Sequence, residues 1–359
     1  MGTTGCKFIV DSYLFDLDGV VERIKRANPR LKHVYIEAPQ GFVRLARRLA
    51  DFLEKCLLSN DIRVEIGLKL EPVFGSCSIS IDDVKYIGND VLIVHLGHGP
   101  YAYPICIGNN CSYSAKNYLN KLVHFVPGEY IGGDPSKLAS LIKELLGTNS
   151  RIAVGYSVQH ESLAKQLALE LSRSGYSVRA VEPVLGCYYY RLVRLENLVD
   201  AYVVVAGGYF HALGLGLALG GEGRVLRADP YSNSIEDIGG KIQGILAKRY
   251  WLFNMLRNAQ RVGVIAGLLP GQYRPWIANF IESLAKKRGI YVRRIYARYV
   301  TKEYLDNLSP DDYDAFVVTS CPRLAIEDLG DYWKPVLTPA EARLWLSNRI
   351  GSERYTFPW

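Results

Sequence analysis

Three apolar segments in this chain each follow an aspartate in the same way, and this repetition limits the folds that the chain can adopt. The aspartates are about 110 residues apart, which is the size of a domain. A continuous apolar run of five or six residues is typical of a parallel strand that is buried on both faces of its sheet. The three segments are residues 90–97, 200–207 and 314–321.

The sequence around each segment is repeated as well. Each copy opens with a short apolar stretch and passes through a loop that contains a glutamine into an amphipathic helix. A second strand then precedes the aspartate. This alternation predicts βαβ units built on a parallel sheet. The predicted first strands are residues 34–37, 152–155 and 262–266, and the predicted helices are residues 43–57, 162–174 and 275–287.

The expected fold class is therefore α/β, with three homologous parallel-sheet α/β domains in a pseudo-three-fold arrangement around a central site. Right-handed crossovers bring the loops that follow the strands to one edge of each sheet, and α/β proteins bind their ligands at that edge. The expected domains are residues 1–127, 128–232 and 233–345, and residues 346–359 are expected to form an irregular tail.

Each copy also contributes one cysteine that follows a predicted strand. Cys77 and Cys187 lie at the same offset before the aspartate of their copies, in the contexts Gly-Ser-Cys and Gly-Cys. Cys321 comes directly after the third strand of its copy. We expect these three thiolates to bind a 4Fe–4S cluster in which one iron has no protein ligand and can bind a substrate or cofactor. The alternative is three unrelated buried cysteines, because free cysteine is often buried.

The composition favours a cytoplasmic protein. No apolar run approaches the ~18 residues of a membrane span, and residues 1–11 lack the apolar core of a secretory signal. In a reducing compartment, the seven cysteines indicate metal binding or catalysis rather than disulfides. The net charge of +7 comes from scattered Lys and Arg residues, which favours an ordinary solvated surface, and we expect no direct nucleic-acid partner.

Several segments of the chain resemble the diphthamide synthesis iron–sulfur family. The most specific parts of this resemblance are Phe-Gly-Ser-Cys at residues 74–77, Val-Leu-Gly-Cys at residues 184–187 and Ser-Cys-Pro-Arg at residues 320–323. The similarity covers most of the chain, with further matching segments at residues 38–41, 82–83, 94–98, 157–160, 209–214, 270–272 and 324–328.

The resemblance implies a homodimeric transferase that carries a 4Fe–4S cluster on Cys77, Cys187 and Cys321 and uses a non-canonical radical mechanism. The reduced cluster of such an enzyme cleaves S-adenosylmethionine. The 3-amino-3-carboxypropyl group is then added to a histidine of translation elongation factor 2, which is the first step of diphthamide biosynthesis. An electron-donor protein is a further implied partner. The chain lacks the Cys-x-x-x-Cys-x-x-Cys motif of the usual radical enzymes, in agreement with the family.

Eight other residues in loops at strand ends are candidates for this site. Glutamine amides can hydrogen-bond the amino-acid end of S-adenosylmethionine, and an arginine can pair with its carboxylate. Each of these side chains can instead satisfy backbone groups of its own loop. The cofactor-binding candidates are Gln40, Gln159, Gln272, Arg274 and Arg323, and the catalytic candidates are His98, His160 and His211.

Three alternative functions remain open. A quinolinate-synthase-like 4Fe–4S dehydratase also combines a three-fold α/β chain with three cysteines, and uses the open iron as a Lewis acid. A non-catalytic partner subunit could retain the three cysteines without activity. Residues 15–20, Phe-Asp-Leu-Asp-Gly-Val, also resemble the nucleophile motif of haloacid-dehalogenase phosphatases, although Asp18 can equally begin a helix.

Overall fold

A computed structural model describes residues 5–27, 30–100, 105–107, 110–112 and 122–359 of the chain. Contacts between residues divide the chain into two units. The first consists of Met1–Gly132 with Leu269–Gly271, and the second of Gly133–Leu268 with Gln272–Trp359. The first unit thus holds the first sequence copy, and the second unit holds the other two. Within the described ranges, no helix is both long enough and apolar enough to cross a membrane.

The described residues of the first unit form two long helices and three sheets. Its elements, in chain order, are β1 (Lys7–Val10), β2 (Tyr13–Asp16), α1 (Asp18–Ala27), β3 (His33–Glu37), α2 (Val43–Leu58), β4 (Glu65–Leu68), β5 (Val91–Leu96), β6 (Ile105–Ile107), β7 (Asn110–Ser112), β8 (Val123–Val126) and β9 (Glu129–Tyr130). The main sheet is parallel, with the strand order β4-β3-β5-β8. Strands β1, β2 and β9 form a small antiparallel sheet, and β6 pairs with β7 as a hairpin.

Burial explains why these segments form the core of the first unit. All six residues of β5 are buried, as expected for a strand that is covered on both faces. Helix α2 packs on the same core through one apolar stripe, because its buried residues recur at the helical period. These residues are Ala46, Leu49, Ala50, Leu53, Cys56 and Leu57.

The second unit contains the two remaining copies of the pattern. The elements of the second copy are α3 (Pro135–Leu145), β10 (Arg151–Tyr156), α4 (Glu161–Arg173), β11 (Ser177–Pro183), α5 (Tyr190–Val193), β12 (Ala201–Val205), α6 (Phe210–Ala218), β13 (Val225–Asp229) and β14 (Ser234–Asp237). Those of the third copy are α7 (Gly239–Met255), β15 (Arg261–Gly267), α8 (Pro275–Lys287), β16 (Tyr291–Ala297), α9 (Lys302–Asp306), β17 (Ala315–Val318), β18 (Val336–Leu337) and α10 (Pro339–Leu346).

All three main sheets share one strand order. The second strand of each copy lies at the edge, followed by the first, third and fourth strands, as in β11-β10-β12-β13 and β16-β15-β17-β18. These strands are parallel, and only β14 adds an antiparallel strand at the far edge of the second sheet. A mixed α/β fold with several parallel sheets is therefore confirmed. The pseudo-three-fold arrangement and the domain boundaries stay predictions.

The C-terminal tail, expected to be irregular, packs into the second unit. Tyr355 and Phe357 are buried, and they belong to the apolar cluster that β12 and α6 of the second copy form with α7 of the third copy. Tyr355 and Phe357 therefore complete a core whose residues in β12, α6 and α7 lie more than a hundred positions earlier in the sequence. The apolar side chains at Tyr355 and Phe357 account for this, since their burial removes aromatic surface from water.

A buried ion pair joins several segments of the second unit. Arg249 of α7 donates hydrogen bonds from Nε and Nη2 to both carboxylate oxygens of Glu341, at 2.7 and 2.6 Å. Its guanidinium also donates to the carbonyl oxygens of Ala325 (2.9 Å) and Val336 (2.7 Å). Glu341 accepts two further bonds, from the Tyr355 hydroxyl and the Thr338 amide. Burial alone raises the pKa of Glu341, but the charge of Arg249 and these hydrogen bonds lower it overall.

Replacing Glu341 by Gln should lower the free energy of unfolding by about 3–5 kcal/mol, because the variant leaves the buried Arg249 guanidinium without a counter-charge. Chemical denaturation monitored by circular dichroism measures the change. Glu353→Gln is the matched control, since Glu353 pairs with arginines at the surface and should cost less than about 1 kcal/mol. Equal midpoints for the two variants would contradict the role given to the buried pair.

Candidate metal centre

Each of the three predicted cysteine ligands lies in a loop that follows a strand. Cys77 is in a 3₁₀ turn, Ser76–Ser78, in the connection between β4 and β5. Cys187 follows β11, inside a tight turn closed by the bridge between Leu185 and Tyr188. Cys321 comes shortly after β17, and all three residues are half-buried. Because the strands are parallel, each loop lies at the carboxyl edge of its own sheet. Cys77 belongs to the first unit, and Cys187 and Cys321 belong to the second.

Local hydrogen bonds fix the loop that carries Cys77. The hydroxyl of Ser78 donates to the carbonyl oxygen of Gly75 (2.9 Å), and it accepts from the amide of Phe74 (2.9 Å). The carbonyl oxygen of Cys77 accepts from the amide of Gly271 at 2.8 Å. An irregular segment with satisfied backbone groups keeps one conformation, so the position of the Cys77 side chain is set in advance.

A hydrogen-bonded chain of one carboxylate and two imidazoles lies at the carboxyl edge of the first sheet, where the Cys77 loop also lies. Glu37 ends β3 and is the direct neighbour of His95 on β5, since the two residues are paired in the sheet register. Both are fully buried, and the Glu37 carboxylate is hydrogen-bonded to Nδ1 of His95. Nε2 of His95 lies 3.0 Å from Nδ1 of the half-buried His98. The second carboxylate oxygen of Glu37 accepts from the amide of Ser80, at 3.1 Å.

Sequence reasoning selected His98 but missed Glu37 and His95. The signal was present, because Glu37 directly follows the apolar residues of its strand and His95 lies within a strand that is otherwise apolar. A polar residue in a strand that is buried on both faces needs a partner, and the parallel register supplies it.

Within the second unit, one aromatic ring contacts the residues beside both Cys187 and Cys321. A Cβ atom added to Gly186 would lie 1.8 Å from Cε1 of Phe210, so the glycine allows the ring to pack against the Cys187 loop. The guanidinium carbon of Arg323 lies 5.6 Å from the centre of the same ring. The two loops therefore meet at Phe210, the first residue of α6.

Two candidate histidines of the second copy are held in the neutral form. Burial, assisted by the charge of Arg323, lowers the pKa of His211 to about 4. Burial also lowers the pKa of His160 to about 4, with His211 adding to the effect and Asp229 opposing it. The ring of His160 packs against Tyr231, with the ring centres 5.4 Å apart. A neutral imidazole at neutral pH can accept a hydrogen bond at its unprotonated nitrogen.

The two arginine candidates are in different environments. Arg274 is buried, and its guanidinium donates to the carbonyl oxygens of Thr319 (3.3 Å) and Ser320, directly before Cys321. It also stacks on the ring of Trp359 at 4.3 Å. Arg323 is half exposed and pairs with Glu327 at 2.7 Å. Arg274 is thus an anchor for the Cys321 loop, whereas Arg323 is accessible to a ligand.

The three glutamine candidates all follow the first strand of their copy. Gln40 is exposed in the turn Gln40–Phe42, and Gln159 is half-buried in the turn Val158–His160. Gln272 is buried beyond β15. Their positions in the repeat are therefore equivalent, although their exposure differs.

Two buried hydroxyls near the cysteines are suited to a sulfur-rich group. The Oγ atoms of Ser80 and Ser320 have no hydrogen-bond partner in the part of the chain that the structure describes. Ser320 directly precedes Cys321, and Ser80 lies three residues after Cys77. A buried hydroxyl needs an acceptor, and the sulfur atoms of an iron–sulfur cluster accept such bonds.

No group of three or more His, Cys, Asp and Glu side chains in the described residues is placed around a single metal ion. A cubane cluster binds each thiolate through a different iron, so its ligands do not need to converge on one ion.

The phosphatase-like motif at residues 15–20 has a structural role. Asp18 begins α1, and its carboxylate accepts a hydrogen bond from the amide of Cys6 at 2.5 Å. The carboxylate of Asp16 in turn accepts from the amide of Asp18 at 3.0 Å. Asp18 therefore begins the helix, as the helix-start interpretation expects, and Asp16 accepts from the first amide of that helix, whereas the carboxylate of Asp18 accepts from an amide that precedes β1.

Comparisons with known proteins give a consistent result. A family model for diphthamide synthesis proteins matches residues 38–356. The 2-(3-amino-3-carboxypropyl)histidine synthase of Pyrococcus horikoshii is 30% identical over 348 residues, covering 94% of this chain and 91% of the relative. The synthase of Methanocaldococcus jannaschii is 24% identical over 364 residues, covering 98% and 94%.

A solved structure is similar along nearly the whole chain. The crystal structure of Dph2 from Pyrococcus horikoshii with a 4Fe–4S cluster superposes with a TM-score of 0.77 and 27% identity. The match covers 98% of this chain and 94% of that one.

Replacing Gly186 by Ala should lower the free energy of unfolding by about 1–3 kcal/mol, because the new Cβ overlaps with the ring of Phe210. Thermal unfolding measures the effect. Gly208→Ala is the matched control: Gly208 is exposed, and a Cβ there meets no atom within 4 Å. If Gly186→Ala unfolds like the control, Phe210 does not pack against the Cys187 loop in solution.

Acidification from about pH 7 to about pH 5 should remove about 2 kcal/mol of stability through His160 alone. In the unfolded chain His160 binds a proton at the ordinary histidine pKa of 6.5, whereas in the folded protein its pKa is about 4. Because the unfolded state binds more protons between these two values, the free energy of unfolding decreases as the pH is lowered through that window. Urea titrations at the two pH values measure the loss. His160→Gln should reduce this difference by a similar amount, and an unchanged difference would show that His160 is not buried as described.

Proposed function

Because the chain belongs to the diphthamide synthesis family, we propose that it is a transferase that makes 2-(3-amino-3-carboxypropyl)histidine. Its proposed substrates are S-adenosylmethionine and a histidine of translation elongation factor 2. The observation that carries this proposal is the likeness, over 98% of the chain, to a protein solved with a 4Fe–4S cluster. Each of the three sequence copies supplies one cysteine in a strand-end loop, which gives such a cluster three ligands.

The proposed cluster ligands are Cys77, Cys187 and Cys321, with the three sheets in a pseudo-three-fold arrangement around them. The buried hydroxyls of Ser80 and Ser320 support this assignment, because each lies close in sequence to a proposed ligand and can donate to sulfur. When bound, the reduced cluster would supply the electron that breaks the bond between the sulfonium sulfur and the amino-acid carbon chain. The fourth iron, without a protein ligand, would bind S-adenosylmethionine.

The residues of the chain itself would bind and orient the co-substrate. Arg323 is the better candidate for the carboxylate of S-adenosylmethionine, because it is half exposed and lies close in sequence to Cys321. We assign Arg274 to positioning, since its donors reach the backbone before Cys321. Gln40, Gln159 and Gln272 remain candidates for the amino-acid end, because they occupy equivalent positions in the three copies.

His160, which is buried, and His211, which is half-buried, would keep the site free of extra positive charge. S-adenosylmethionine carries a positive sulfonium, so a protonated His160 or His211 nearby would repel it. Burial holds the pKa of both rings near 4, so they stay neutral at physiological pH. The remaining expectations belong to the same proposal: a cytoplasmic homodimer that receives electrons from a donor protein.

Single replacement of Cys77, Cys187 or Cys321 by Ala should abolish the cluster. Anaerobically purified wild-type protein should contain about four iron and four sulfide per chain, and reduction should give an electron paramagnetic resonance signal. With S-adenosylmethionine, the reduced wild type should form methylthioadenosine, and the three variants should not.

Cys6→Ala and Cys56→Ala are the matched controls, because both residues are buried in the apolar core of the first unit. They should keep the iron content and the signal of the wild type. Loss of iron in either control variant would overturn the ligand assignment. Retention of iron in a variant that lacks Cys77, Cys187 or Cys321 would overturn it as well. An intact cluster without methylthioadenosine would instead favour a dehydratase or a partner subunit.

A further inference from the structure

The hydrogen-bonded chain of Glu37, His95 and His98 connects a fully buried carboxylate to a half-buried imidazole. Glu37 and His95 are completely excluded from solvent, and His98 is partly accessible. The contacts run from Glu37 to Nδ1 of His95, and from Nε2 of His95 to Nδ1 of His98. Such a chain can pass a proton along two rings and leave the resulting charge next to a carboxylate.

The fold itself does not require this chain. At the position of the Glu37–His95 pair, the second copy pairs Tyr156 of β10 with Val205 of β12. The same parallel register therefore forms without a carboxylate or a histidine. A buried ion pair is also weak evidence for stability, because removing two charges from water costs much of what their attraction supplies. The chain of Glu37, His95 and His98 thus has a role other than sheet formation.

Its position is at the edge of the sheet that carries Cys77. His98 follows the carboxyl end of β5, and the Cys77 loop reaches Glu37 through the amide of Ser80. The proton chain and the proposed cluster ligand are therefore parts of one hydrogen-bonded edge within the first unit. Ligands of parallel sheets bind at this edge.

We propose that His98 accepts the proton that leaves the substrate histidine, with His95 and Glu37 positioning His98 and stabilising its charge. This inference rests on the proposed function, in which the new carbon–carbon bond forms at C2 of the imidazole. Addition of the aminocarboxypropyl radical to C2 leaves an adduct radical that must lose one proton and one electron to restore the aromatic ring. The proton goes to Nε2 of His98. The electron would return to the iron–sulfur cluster. It would replace the electron that the cluster gave up when the carbon–sulfur bond broke.

The test compares two products of the same turnover. Reconstituted, reduced protein is mixed with S-adenosylmethionine and the elongation factor, and methylthioadenosine and modified histidine are both measured. For His98→Gln, methylthioadenosine should stay within about two-fold of the wild type, because bond cleavage does not need the base. Modified histidine should fall by about 100-fold, as expected for the loss of a general base. Iron content and the resonance signal should be unchanged.

Two further readouts separate proton transfer from a merely structural role. Deuterium at C2 of the substrate histidine should lower the ratio of modified histidine to methylthioadenosine. The decrease should be larger in His98→Gln than in the wild type, because without the base the loss of the C2 proton limits the formation of modified histidine. In the smaller His98→Ala variant, added imidazole should restore product. Glu37→Gln should lower the product ratio by about 10-fold while the cluster is retained, through the weakened orientation of His95.

His124→Gln is the control, since His124 is a half-buried histidine on β8 of the same unit, packed beside Gly19. It should leave both products unchanged. The proposal is overturned if His98→Gln with an intact cluster keeps the wild-type product ratio. It is also overturned if both products fall together, because His98 would then serve cofactor binding. Wild-type protein that carries the cluster but forms no methylthioadenosine would refute the proposed function, and the role of His98 with it.

Discussion

The buried guanidinium of Arg249 is the interaction on which the second unit depends, because it joins segments that are far apart in sequence. Its donors reach the carboxylate of Glu341 in α10, the carbonyl oxygen of Val336 in β18 and that of Ala325. Ala325 lies four residues after Cys321, and Arg274 donates to the carbonyl oxygen of Ser320 just before it. Two buried arginines therefore hold the Cys321 loop from both sides. Arginine suits this task, because its planar group presents five donors in fixed directions.

The other two cysteine loops are fixed by the same principle with different groups. The Cys77 loop is held by the amide of Gly271 and by Glu37, which accepts from Ser80. The Cys187 loop is held by packing, since Gly186 leaves room for the ring of Phe210. Irregular segments have no ladder of their own to satisfy their backbone groups. Partners from distant elements supply these bonds and, at the same time, set the direction of each thiol.

The sequence was sufficient for the parts of the fold that depend on local pattern. The helices predicted at residues 43–57, 162–174 and 275–287 agree with α2, α4 and α8 to within a residue at each end. Helical periodicity and continuous apolar runs are local properties, so they are visible without the fold. The Arg249–Glu341 pair spans 92 residues, and the Glu37–His95 pair exists only because of the strand register. Arg274 was predicted as a cofactor ligand from its loop, but only the coordinates reveal the carbonyl groups that it contacts.

The three copies share one strand order and differ in the titratable and charged side chains that each of them buries. The first copy buries the carboxylate of Glu37 beside the imidazole of His95, which is hydrogen-bonded in turn to His98. The second copy buries His160 and half-buries His211, and desolvation lowers the pKa of both rings to about 4. The third copy buries a permanent cation, Arg274, and satisfies it with backbone oxygens. The proposed sulfonium substrate would be repelled by a protonated imidazole, so the low pKa values of His160 and His211 are compatible with the proposed function.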